Sequence, residues 1–148
     1  MMETINNAEV LTIFAGIMSE KIKRPFHRAL AQEGITISFE QCLILSCLSD
    51  NNKATQQTLC QLTHKDKPSI TRLVDKLETK DLVKRITDKK DRRKNHICLT
   101  SSGYALCIKT QNVVQRLFHQ AVANIDELQL NECRNVLQNI MQNLATVG

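Results

Sequence analysis

Between residues 64 and 96 the chain carries 12 Lys or Arg against 6 Asp or Glu, while the remainder carries 8 against 9. All of the net positive charge therefore lies in one segment. Such a segment does no covalent chemistry. It neutralises phosphates and releases their counterions, which gives affinity for a polyanion regardless of sequence. The cations fall in two sets. Lys67, Arg72 and Lys76 occupy outward positions of a helical pattern, and Arg92, Arg93 and Lys94 close the run Asp-Lys-Lys-Asp-Arg-Arg-Lys at 88–94. Arginine adds a rigid, bidentate fork that can read guanine edges or sit in a narrow groove. A merely solvated Lys-rich surface would not gather its cations on one helix face and one loop tip.

Two elements must position these residues. Residues 67–80 form an amphipathic helix, with Ile70, Leu73, Val74 and Leu77 inward and Ser69, Thr71, Arg72, Asp75 and Lys76 outward. Asp66 caps it and Pro68 is tolerated in its first turn. Before it, Thr55 caps a short helix at 56–62 that buries Leu59 and Leu62, and 63–66 turns the chain. After it, β-type runs at 82–86 and 96–99 flank the charged loop as a two-stranded wing. Helix, turn, helix and basic ribbon in this order predict a winged helix-turn-helix.

The flanks read as helices. Asn6-Asn7 caps a long one to about residue 32, with an apolar stripe of Val10, Leu11, Phe14, Ile17, Met18 and Ile22. Pro25 inside it predicts a kink or a break, and Gly34 ends it. Ser38 and Gln41 predict a capping box on a helix at 39–48 that is apolar on nearly every side, followed by a turn at 50–53. Thr100 caps a helix at 101–122. A connection at 126–131 then leads to a last helix at 130–144 that buries Cys133, Val136 or Leu137, Ile140, Met141 and Leu144.

Composition bounds the class. The 148 residues suffice for one domain, and an aliphatic, aromatic-poor chain with 4 Gly and 2 Pro reads as mainly α with a small β-wing. No apolar run is long enough for a membrane span, and the first residues show no export signal, so a cytoplasmic protein is expected. The 6 cysteines form no C-x-x-C pair, so no metal is expected; most read as small buried residues, with a redox role for one as the alternative. There is no Gly-rich phosphate loop and no G-x-S-x-G, so neither an enzyme nor a cofactor is expected, and no catalytic residue is assigned. His64 and His96 read as surface residues or phosphate neighbours, and His27 and His119 as helix residues.

From Thr55 to Gly103 the chain resembles the core of the MarR (multiple-antibiotic-resistance regulator) family. The resemblance is carried by ITRLVDKLE, then LV-x-R, then D-x-x-D-x-R, then LT-x-x-G. It implies one domain over 1–148, with residues 38–100 as the winged helix-turn-helix and 1–34 and 101–148 as dimerisation helices. It further implies a homodimer on an inverted-repeat operator in double-stranded DNA. The recognition helix would enter the major groove, and Arg93, paired with Asp91 and held extended, would reach the minor groove. The candidate DNA contacts are Thr55, Gln56, Lys67, Pro68, Ser69, Thr71, Arg72, Lys76, Arg92, Arg93 and Lys94.

Asp81 stands where the family usually has Gly, and Lys90 where it usually has Arg. The resemblance also implies release by a small, often anionic aromatic effector, from a pocket between the first helix, the second helix and the helix starting at Ser101. Cysteine oxidation is the alternative switch. The hydroperoxide-sensing branch uses a cysteine near the start of the first helix, and the first cysteine here is Cys42. A winged-helix module that binds protein or RNA remains the competing class.

Overall fold

The structure, a computed structural model, describes residues 16, 18–89, 91 and 94–147. Its elements are α1 (Met18–Gln32), α2 (Phe39–Asn51), β1 (Lys53–Ala54), α3 (Gln56–Thr63), α4 (Lys67–Thr79), β2 (Val83–Thr87), β3 (Asn95–Leu99), α5 (Ser101–Ala121) and α6 (Glu127–Ala145). The chain forms two compact units, residues 1–117 and 118–148.

In the first unit α2 is the centre of the core, as its near-continuous apolar run requires. Ile44, Leu45 and Leu48 have no exposure, and neither do Leu59 of α3 nor Ile70, Val74 and Leu77 of α4. Phe26 and Leu30 bring α1 onto this core, where Phe26 meets Phe39 edge-on at 5.2 Å. The expected capping box is present: the Gln41 N–H donates to Ser38 Oγ at 3.1 Å, and the Ser38 N–H donates to Gln41 Oε1 at 2.9 Å.

Three expectations need correction. Of the kink or break expected at Pro25, the break is absent: α1 continues through it to Gln32. The lost hydrogen bond and ring clash cost about 3 kcal/mol, and burial of Phe26 and Leu30 just beyond it, at about 1.5–3 kcal/mol each, offsets that cost. The supposed start of this helix, including Val10, Leu11, Phe14 and Ile17, lies outside the described residues. Leu62 is not buried but 48% exposed, because α3 is short and only Leu59 reaches the core. Finally, α2 runs on to Asn51, and the expected turn instead leads into β1, which pairs antiparallel with β3.

The sheet has the order β1-β3-β2, with Val83 opposite Leu99, Arg85 opposite Ile97 and Thr87 opposite Asn95. Val83 and Ile97 point into the core, so the wing is rooted there rather than free-standing. Both chain reversals after α1 and α4 use the same cap. Gly34 at φ 69° and Asp81 at φ 54° adopt the left-handed conformation. The next residues, Ile35 and Leu82, each donate back five residues, to Leu30 and Leu77, at 2.9 Å. Asp81 thus fills a position that suits glycine better.

Thr100 ties the end of the recognition helix to the start of α5. Its Oγ1 donates to the Asp81 carbonyl at 2.6 Å and accepts from the Gly103 N–H at 3.0 Å, while its own N–H donates to Leu82 O at 3.1 Å.

In the second unit Asp126 is the N-cap of α6, not part of a connection; its carboxylate accepts from the N–H groups of Leu128 and Gln129. No residue of α6 is buried. Val136, Leu137, Met141 and Leu144, expected inside, are 55%, 39%, 65% and 66% exposed, and Cys133 is exposed as well. The apolar stripe exists, and among the described residues it is left exposed.

Candidate nucleic-acid interface

The recognition helix α4 begins with a well-formed cap. The Ser69 N–H donates to Asp66 Oδ1 at 2.7 Å. Hydrogen bonds from the Ser69 side chain and backbone hold the Asp66 carboxyl below its usual pKa. Ile70, Val74 and Leu77 are buried, and Leu73 packs against the core. The opposite face, with Lys67, Pro68, Arg72 and Lys76, is left exposed, while Ser69 and Thr71 are half-buried.

A concavity of about 450 Å³ lies between the start of α3, the start of α4 and the wing. Thr55, Gln56, Lys67 and Lys94, all expected at the site, line it together with Arg85, Gln57, Cys60, Asn95 and Ile97. Three cations thus converge from three elements distant in sequence. Arg72 and Lys76 lie farther along α4, outside this concavity.

Thr71 and Gln56 have a role the sequence did not suggest. Thr71 Oγ1 donates to the Lys67 carbonyl at 2.9 Å and accepts from Gln56 Nε2 at 3.2 Å. These contacts fix the angle between the two helices of the helix-turn-helix. The Thr71 hydroxyl is therefore committed within the protein.

Arg85, the arginine of the LV-x-R motif, has a task at the site that the sequence did not reveal. From β2 it donates to Asp75 Oδ1 at 2.5 Å and forms an ion pair with Glu78, both on α4. One guanidinium so joins the wing to the recognition helix, a use of its fork that lysine could not reproduce. The place of Arg85 in that motif was its sequence signal.

In the wing loop, Arg92 and Arg93 lie outside the described residues, as does Lys90. Asp91 lies beside Lys94, whose Nζ is 3.8 Å from Asp91 Oδ2. His96 is not a free surface group: its Nε2 is 2.8 Å from Asp88 Oδ2.

Among the described residues no group of three His, Cys, Asp or Glu could hold a metal, and no helix is long and apolar enough to cross a membrane. Burial pushes the Cys42 thiol up to about 12, and burial also raises Cys47 and Cys107.

A capped recognition helix, a short helix packed across it and a β-ribbon joined to it by an arginine define a winged helix-turn-helix protein. Comparisons place it more narrowly. The MarR family model matches residues 33–94, from the end of α1 into the wing loop. The HTH-type transcriptional regulator SarZ of Staphylococcus aureus is 26% identical over 125 residues, covering 84% of this chain and 82% of that one. A structure of the S. aureus MepR–DNA complex superposes with TM-score 0.78 at 21% identity, covering 95% and 97% of the two chains. The organohalide-sensing regulator RdhR in its 2,4-dichlorophenol-bound form superposes with TM-score 0.81 at 19% identity, covering 95% and 82%. At such identities the two structures speak for the fold alone. Residues 33–94 are thus similar to the MarR family, and the relative and the shared fold agree with the motifs.

Proposed function

We propose that this protein is a sequence-specific regulator of transcription that binds an inverted repeat in double-stranded DNA as a homodimer. The observation that carries the reading is the convergence of Lys67, Arg85 and Lys94 on one concavity beside an exposed recognition-helix face. A phosphate strand fits such a surface, and the helix beside it fits a major groove. Arg93, held by Asp91, is the residue proposed for the adjacent minor groove. Residues 38–100 are the proposed reading head, and the segments 1–34 and 101–148 are proposed to pair the two copies.

Lys67 and Arg72 distinguish positioning from reading. Lys67 stands at the start of α4, where phosphates dock. Lys67→Ala is expected to weaken all duplexes alike and to flatten the salt slope by about one unit. Arg72, exposed farther along, is expected on alanine substitution to cost ~1–3 kcal/mol on the preferred site and to relax one base position per half-site. Binding titrations across a salt series and a single-base variant panel read both effects. A base-specific defect in Lys67→Ala would reverse the assignment.

Repression relieved by a small aromatic anion is the proposed mode of control. A cavity of about 410 Å³ opens between the end of α2, the end of β3 and the start of α5, with Leu48, Ser49, Thr100 and Tyr104 on its walls. No residue of α1 lines it, so it matches only part of the expected pocket. It adjoins Thr100, the residue tied to the recognition helix, so a ligand there could bias the spacing of two helices in a dimer.

Thiol control is the second reading, and one observation favours it: Cys60 lines the cationic concavity. The buried Cys42 and Cys107 are poor candidates, because the thiolate is the reactive form. Salicylate at millimolar concentration is expected to reduce duplex affinity, and mild peroxide to leave it nearly intact. Peroxide that abolishes binding, with Cys60→Ser resistant, would move control to the thiol.

A further inference from the structure

We propose, resting on the DNA-binding reading above, that Asp88 and His96 are positioning residues that set the shape of the wing loop before it meets DNA. Asp88 is the first residue after β2, and one carboxylate serves two ends of the loop. Its Oδ1 accepts the Asp91 N–H at 3.0 Å, and its Oδ2 meets His96 Nε2 on β3 at 2.8 Å. Two backbone bonds close the same turn: the Asp88 N–H donates to Lys94 O at 2.8 Å, and the Lys94 N–H donates to Asp91 O at 2.9 Å.

His96 sits opposite Ile86 in the hairpin register, two residues before Asp88, so the pair is a diagonal on one face of the ribbon. The two side chains are only 19% and 25% exposed, unlike the 66% of Lys94. His96 Nδ1 is buried without a hydrogen-bond partner among the described residues. The tautomer with its proton on Nε2 fits both facts, since it donates to Asp88 and leaves only a lone pair at Nδ1. A buried orphan nitrogen is tolerated where the other nitrogen is committed to a specific partner.

The bracket has a function to serve. Residues 89–94 carry the cations proposed for the DNA backbone and minor groove, and a loop that must be ordered on binding loses affinity by that ordering. The pair reaches both Asp91, which is proposed to orient Arg93, and the strand that returns the chain to the core. Simple electrostatics would use Asp88 differently: a carboxylate beside phosphates repels them, so deleting it should tighten binding. The two accounts predict opposite signs.

The experiment uses the full chain and two readouts. One is hydrogen exchange of the Asp91 amide in the free protein. The other is affinity for a 30-base-pair duplex recovered by selection from random sequence, with melting curves as a control on folding. Asp88→Ala and His96→Ala are expected to speed the Asp91 exchange and to weaken duplex binding about tenfold, with melting nearly unchanged. Asp88→Asn keeps the acceptor for the Asp91 N–H but sets an amide N–H against His96 Nε2–H, and is expected to weaken duplex binding less than Asp88→Ala. Asp88→Ala that binds as tightly or tighter, with Asp91 exchange unaltered, overturns the proposal. Should the unmodified chain bind no duplex, the reading of the preceding subsection falls, and the exchange readout still decides whether the bracket exists.

Discussion

Gly103→Ala is expected to destabilise the fold by about 3–5 kcal/mol, among the largest single-site effects. A Cβ built on Gly103 would lie 1.8 Å from the Leu82 carbonyl oxygen and 2.8 Å from its carbon. Both are backbone atoms, so no side chain can swing aside. The contact is close because α5 begins against the turn that ends the recognition helix, where the Thr100 N–H and hydroxyl bond the carbonyls of Leu82 and Asp81. To admit a methyl group, α5 must move away and those bonds must break. Thermal denaturation checks this, with a fall in melting temperature of about 10–20 °C expected for a chain of this size. A shift of only a degree or two would mean that α5 can leave this joint freely.

The second large effect concerns assembly. Leu137, Met141 and Leu144 follow an i, i+4, i+7 spacing on α6 and are all exposed. Apolar stripes of this size on a chain of this kind mark an interface, and a second copy is the partner proposed here. The double variant Leu137→Glu, Met141→Glu is expected to give a monomer by light scattering at micromolar concentration. The variant's affinity for an inverted repeat is expected to fall by about a hundredfold or more, because linking two half-site contacts multiplies affinity by roughly 10²–10⁴. The melting of the 1–117 unit should persist. A variant that stays dimeric, or a monomer that keeps full affinity, would remove this helix from assembly.

Much of the fold was legible because local signals were unambiguous. The caps at Ser38, Thr55, Asp66 and Thr100 each name their residue type, and the i, i+3, i+4, i+7 spacing of Ile70, Leu73, Val74 and Leu77 has only one reading. What escaped was set by tertiary context. Two residues of β1 carry no periodicity, and their pairing with β3 spans more than forty positions. Pro25 obeyed packing over propensity. The stripe of α6 was rightly seen as apolar, yet periodicity says that a face wants burial, not which chain supplies it.

The site divided in the same way. Lys67 and Lys94 were visible as charge, and the concavity brings them together. Arg85 stood in a recognised motif, but its partners Asp75 and Glu78 become evident only when strand and helix are side by side. His96 read as a surface residue because nothing in a sequence reports a diagonal pair across a hairpin. Gly103 was a motif letter whose physical reason is a carbonyl oxygen contributed by Leu82.

The central claim is that a dimer reads an inverted repeat with the α4 face and the wing. Selection from random duplex DNA, using the full chain, tests it most directly. The account predicts enrichment of two inverted half-sites centred about one helical turn apart, on the order of 34–36 Å, with information at one half-site position lost in Arg72→Ala. Recovery of no sequence above the starting pool, of a single unpaired half-site, or of stronger binding to single strands than to duplex would contradict it.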